Sequence, residues 1–107
     1  SSLHDALPIC GGLILANDTS DNYGEIELTI SGFTVAQNSV VMFTPKTKTT
    51  TGTHLSQISI NGSWYPLKTF RNESIKTSFF DKIHNVQDIY LAYYDSTNYC
   101  FYLQLVQ

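Results

Sequence analysis

Hydrophobic and polar positions in this chain alternate over short runs separated by turn-forming residues, the pattern of an all-β domain. The clearest run is residues 25–30, where Ile26, Leu28 and Ile30 fall on one side and Glu25, Glu27 and Thr29 on the other. Before it, residues 13–16 form a short apolar strand candidate after Gly11-Gly12, and residues 17–24 have the composition of a loop. After Ser31-Gly32, Phe33 and Val35 are placed to extend the pairing. Residues 39–44 read as the next strand, stopped by Pro45 and followed by a polar, Thr-rich loop over residues 46–52. Residues 55–60 alternate again up to Asn61-Gly62, a preferred centre of a type I′ hairpin turn, and residues 63–68 return from it. Pro66 cannot donate to a ladder, so this return strand is expected at a sheet edge or with a bulge. Between residues 70 and 88 the pattern weakens; Ile75, Phe79, Phe80 and Ile83 recur at helix-like spacing, which fits a short helical turn at 78–83, and a loop with one short strand fits equally well.

The last hairpin is the most hydrophobic element. Runs dense in aromatic residues flank Asp95-Ser96-Thr97-Asn98, and a loop of those residues would set Tyr94 opposite Tyr99. One face then carries Tyr90, Ala92, Tyr94, Tyr99, Phe101 and Leu103, and the other Ile89, Leu91, Tyr93, Cys100, Tyr102 and Gln104. A half-solvated antiparallel hairpin would be polar on one of these faces. Both are apolar, so cover is expected on both sides, from the rest of the domain or from another chain. The elements together indicate a small antiparallel β-sandwich or open barrel.

A chain of 107 residues is one domain, large enough to bury a core without metal or disulfide support. Only 14% of residues are charged, against about 25% in ordinary globular proteins. Thr, Ser, Asn and Gln make up the difference, a composition suited to an extracellular or virion β-protein. The net charge of −3, with no cluster of Lys or Arg, lacks the footprint of a nucleic-acid binder. Lys46 and Lys48 read as solvated charges of the Thr-rich loop. No apolar run reaches the roughly 18 residues of a membrane span, and no secretory signal is visible. Residues 1–9 fit none of the periodicity that follows; Leu3 to Ile9 correspond to one translated frame of a common sequencing adapter. They are read as non-native, leaving residues 10–107 as a single module, expected to be the C-terminal fragment of a longer protein. Cys10 and Cys100 could pair in an oxidising compartment, but Cys100 reads more simply as a small buried strand residue.

Candidate chemistry is sparse. His54 and His84 lack the spacing of metal ligands and read as surface residues. Glu25 and Glu27 share a strand face, which paired carboxylate catalysts require, yet an amphipathic strand explains them as its solvated face. Asp18 and Asp21 lie in a loop without the ordered spacing of a calcium motif. No nucleophile elbow, phosphate loop or dinucleotide fingerprint occurs, so no enzyme activity, cofactor or metal is expected. Three sequons, at Asn17, Asn61 and Asn72, arise readily in a chain of this composition. With a two-residue Asn61-Gly62 loop, Trp64 joins Ser59 and Gln57 on the polar face. There it could stack on a sugar or a partner chain; the weightier alternative is that this face is covered and Trp64 belongs to the core.

In order along the chain stand Ser31-Gly-Phe-Thr34, Val40-Val-Met-Phe43, Thr50-Thr-Gly52, Ile58-Ser-Ile-Asn-Gly62, Pro66-Leu67 and Leu91-Ala-Tyr-Tyr-Asp-Ser-Thr-Asn-Tyr99. This series, spanning residues 30–106, resembles the small β-rich modules of bacteriophage tail-fibre and tail-appendage proteins. Ser96 stands where that family usually has Gly, and the stretch between Gly62 and Pro66 is shorter than usual. The resemblance implies a non-enzymatic structural or host-recognition module of the virion, assembled as a homo-oligomer, commonly a trimer, with contact to a bacterial surface glycan. Loops 17–23 and 47–53 would be presented by the scaffold, with Trp64 or Tyr99 as stacking residues. The alternative is a carbohydrate-binding module of a secreted bacterial hydrolase or cell-surface adhesin.

Overall fold

The structure is a computed structural model and describes residues 14–81 and 83–106. Seven strands form one sheet: β1 (Leu15–Asn17), β2 (Glu25–Leu28), β3 (Val40–Thr44), β4 (Gln57–Ile60), β5 (Ser63–Lys68), β6 (Tyr90–Asp95) and β7 (Cys100–Leu105). A five-residue helix, α1 (Thr77–Asp81), lies between β5 and β6. The strand order is β1-β3-β6-β7-β5-β4-β2, and the sheet curls into a nearly closed barrel. The expected all-β fold is therefore present. Its pairing is mixed, however: β1 with β3, β2 with β4 and β5 with β7 run parallel.

Alternation explains the barrel interior. Ile26 and Leu28 of β2 stand beside Ile58 and Ile60 of β4. Val41 and Phe43 of β3 face Ala92 and Tyr90 of β6. With Leu67, Phe80 and Phe101 they form one continuous core. Phe33, Val35, Tyr65 and Tyr94 pack on this core as partly buried residues. Phe33 and Val35 do so from a loop; they do not extend a strand.

Three expectations change in detail. First, β5 is an interior strand in the sheet order, yet residues 63–66 pair only with β4, and Leu67 and Lys68 alone pair with β7. Pro66 thus stands where the ladder to β7 has not begun, and its missing donor is harmless there. Second, the closing hairpin pairs Asp95 with Cys100 and Tyr94 with Phe101, two residues away from the expected register. A two-residue shift preserves the face of every strand residue; Asp95 passes from the expected loop into the ladder, and Tyr99 moves into the turn with φ 53°. Third, the hairpin's second face is covered by its own chain only in part: Ile89, Tyr93 and Tyr102 are half-buried and Gln104 is exposed. Leu91 packs with Val40 and Met42, against Ile89, Tyr93 and Val106, and Cys100 is fully buried. Cys10 lies outside the described residues.

Candidate functional site

The two edge strands meet through one carboxylate. Just past β1, the Thr19 amide donates to the Glu27 carbonyl of β2 at 2.9 Å. Asp18 Oδ1 accepts from the amides of Glu27 (2.9 Å) and Ser20 (3.0 Å). Asp18 Oδ2 accepts from the Lys46 amide at 3.1 Å and from Lys48 Nζ at 2.5 Å. Lys48 donates also to the Ser20 carbonyl at 2.7 Å. Both side chains of this ion pair are fully buried. Asp18 thus accepts four hydrogen bonds and Lys48 donates two, the condition under which a buried pair offsets its desolvation. This clasp joins loops 17–24 and 45–56 at one end of the barrel.

Lys48 is therefore not the solvated loop charge that composition suggests, whereas Lys46 is, pairing with exposed Asp21 at 2.7 Å. Glu25 is likewise not on a solvated face. It is 3% exposed, and its Oε2 accepts from Ser20 Oγ at 2.9 Å. Gly52 lies against it: a Cβ at position 52 would overlap the Tyr23 carbonyl oxygen and stand 3.2 Å from Glu25 Oε1. Gly52→Ala is expected to cost about 1–3 kcal/mol, as overpacking does, read as a lower urea midpoint with an unchanged slope. His84 is buried as well, against its reading as a surface residue. Its Nε2 donates to the Phe79 carbonyl at 3.0 Å, and its backbone amide donates to Thr47 Oγ1 at 3.3 Å. Nδ1 makes no hydrogen bond; it stands 3.5 Å from Asp88 Oδ2. Among the described residues no group of three or more His, Cys, Asp or Glu could hold a metal ion, and no helix is long and apolar enough to cross a membrane.

Trp64 takes the register derived from the Asn61-Gly62 turn, opposite Ser59, with Tyr65 opposite Ile58. Asn61 and Gly62 have φ of 50° and 90°, as a type I′ turn requires. Trp64 is not a core residue. It is half-buried on the outer face, its ring stacked on His54 with centroids 3.9 Å apart and planes 1° from parallel. His54 Nδ1 lies 3.4 Å from Glu25 Oε1, so the stack is seated over the buried carboxylate. One ring face of Trp64 is thus already occupied.

Tyr99, the other candidate, is 67% exposed at the tip of the last hairpin, at the opposite end of the barrel from the clasp. The structure does not bring it together with Trp64. Asp95 anchors that tip, accepting from the amides of Thr97 (2.9 Å) and Asn98 (3.1 Å), from Asn98 Nδ2 (2.9 Å) and from the Tyr102 hydroxyl (2.6 Å). These donors, Tyr102 first, lower the carboxyl from 3.8 to about 2, and the hydrogen bond to the Asp95 carboxylate pushes the Tyr102 phenol well above its ordinary value. A carboxyl depressed by folding contributes stability above its unfolded value, lost as pH falls from about 4 towards 2. The stability difference between the parent and Asp95→Asn, measured by urea unfolding, is therefore expected to be present at pH 5 and to close by pH 2. Beside Asp95 on the outer face, Phe70 (61% exposed) lies 5.7 Å from Tyr93 and 5.8 Å from Tyr102, a small aromatic patch.

Sequence reasoning missed Ser20, Glu25 and Lys48 as buried polar residues. No local signal marks them, because the partners of Asp18 come from a loop about thirty positions away. Comparison with protein-family models, with curated proteins and with solved structures finds no match.

Proposed function

We propose that the chain is a non-enzymatic structural or host-recognition module of a phage tail fibre or baseplate appendage. The clasp carries this reading: Asp18, Ser20, Glu25 and Lys48 fasten loops 17–23 and 47–53 to each other and to the barrel. Polar groups so engaged with each other are suited to holding a surface rigid, and a rigid surface binds with little ordering cost. The resemblance to tail-appendage modules supplies the setting, a virion, and the expectation of a homo-oligomer, commonly a trimer. The apolar patch of Phe70, Tyr93 and Tyr102 is the surface that assembly would cover. Light scattering tests assembly and adsorption of the labelled chain to bacterial cells tests recognition. Concentration-dependent mass growth and saturable adsorption are expected; a monomer that adsorbs to no cell contradicts the reading.

Trp64 favours the second reading, a carbohydrate-binding module of a secreted hydrolase or adhesin. An indole held flat by His54 on an outer sheet face is a ready stacking platform. Loss of oligosaccharide binding in Trp64→Ala would favour it over the tail module.

A further inference from the structure

At the barrel end opposite the clasp, a groove of about 360 Å³ opens between the loop carrying Phe33, Thr34 and Val35 and the Asn61-Gly62 turn. Tyr65 and Tyr94 line its base, meeting edge-on with centroids 5.7 Å apart. Both rest on Phe101, which is fully buried, at 5.3 Å and 5.1 Å. The rim is fixed too: Asn61 accepts from the Ile30 amide at 2.8 Å and donates to the carbonyls of Ile30 (3.0 Å) and Phe33 (3.4 Å). The groove is therefore pre-formed, concave and set in the mouth of a barrel, where small-ligand sites concentrate.

Its chemistry narrows the ligand. Not one lining residue is charged, so an anion or cation would be desolvated there without a counter-charge. Nor would a purely apolar occupant suit it. The hydroxyls of Tyr65 and Tyr94 donate to no group among the described residues, and covering them with hydrocarbon would leave both unsatisfied. Partial burial, then the neighbouring Tyr65, pushes the Tyr94 phenol above its ordinary value, so it stays neutral. What remains is a neutral molecule with an apolar face and a rim of hydroxyls.

We propose that this groove binds a neutral saccharide, its C–H groups packed into the corner formed by the nearly perpendicular rings of Tyr65 and Tyr94 and its hydroxyls pairing with their phenols and with Ser63 Oγ. This rests on the host-recognition reading and gives it a ligand class and a place. It moves the sugar away from Trp64, which stands on the outer face.

The test uses the full chain on an array of neutral oligosaccharides of glucose, galactose and N-acetylglucosamine, beside sialylated and uronic acid-containing ones. Retention of neutral members is expected, weakened about tenfold by Tyr65→Phe and by Tyr94→Phe and unchanged by Trp64→Ala. The phenylalanine variants keep the rings, and an unaltered unfolding midpoint verifies that they fold. Retention that survives both tyrosine changes, or is confined to acidic glycans, overturns the groove. If binding instead falls only in Trp64→Ala, the groove fails while recognition of a glycan stands. If nothing on the array is retained, the groove also fails, and adsorption to cells alone then decides the broader reading.

Discussion

Lys48→Met is expected to cost about 3–5 kcal/mol, because it leaves the Asp18 carboxylate buried without its counter-charge. Asp18→Ala is expected to cost more. It strands the Lys48 ammonium beside only the Ser20 carbonyl, and it also removes the acceptor of the Ser20, Glu27 and Lys46 amides. Buried donors without a partner each cost about 1–3 kcal/mol. Domains of this kind have only about 5–15 kcal/mol in total, so Asp18→Ala brings the chain to the edge of unfolding at room temperature. The paired change of Asp18→Asn with Lys48→Met recovers part of the loss seen in Lys48→Met. It removes the uncompensated charge and keeps an oxygen for the amides of Ser20 and Glu27. Urea unfolding of the parent, the two single variants and the pair reads all of this directly. A Lys48→Met variant within 1 kcal/mol of the parent, on the order of an exposed ion pair, would mean that the pair is open to water.

Phe101→Ala is the other large loss, about 3–5 kcal/mol, as for a truncated core aromatic. Phe101 is fully buried, stands between Tyr94 of β6 and Leu67 of β5 in the ladders, and carries the edge-on ring of Tyr65. At roughly 4–8 °C per kcal/mol for a domain near this size, a fall in melting temperature of roughly 15 °C or more is expected. Because Tyr65 and Tyr94 lose their support together, the variant should also lose the saccharide binding proposed for the groove. A fall of only a few degrees would mean that neighbouring rings collapse into the vacated space.

Local chemistry wrote the strands plainly into the sequence. Ile26 and Leu28 announce their face by alternation, and Asn61-Gly62 sets the register of Ser59 with Trp64. The final hairpin was legible by face but not by register, because Ser96, Thr97 and Asn98 form a tip equally well with Asp95 in the loop or in the strand. What decides it is the Asp95 carboxylate, whose four donors, Tyr102 among them, hold Asp95 in the ladder opposite Cys100. Strand order was not legible either: parallel pairs such as β2 with β4 depend on loops packing over a distance, which periodicity does not record. The same holds for the clasp. A Lys in a Thr-rich loop looks solvated until the fold lays Asp18 beside it. The groove was half visible, through its turn and the density of tyrosines in the last hairpin. The part played by Tyr65 emerges only when β5 and β6 are seen to converge on Phe101.

Rigid presentation of loops 17–23 and 47–53 depends on the barrel being closed at the clasp, since loops fastened to an open sheet would not be held rigid. Amide hydrogen exchange at Thr19 and Glu27 measures this most directly, because their amides donate across the seam between the two edge strands. Protection of both within the range of the β6 and β7 ladder amides is the predicted result. Exchange at both that is as fast as at the exposed hairpin-tip residues 96–99, while β6 and β7 stay protected, would contradict it.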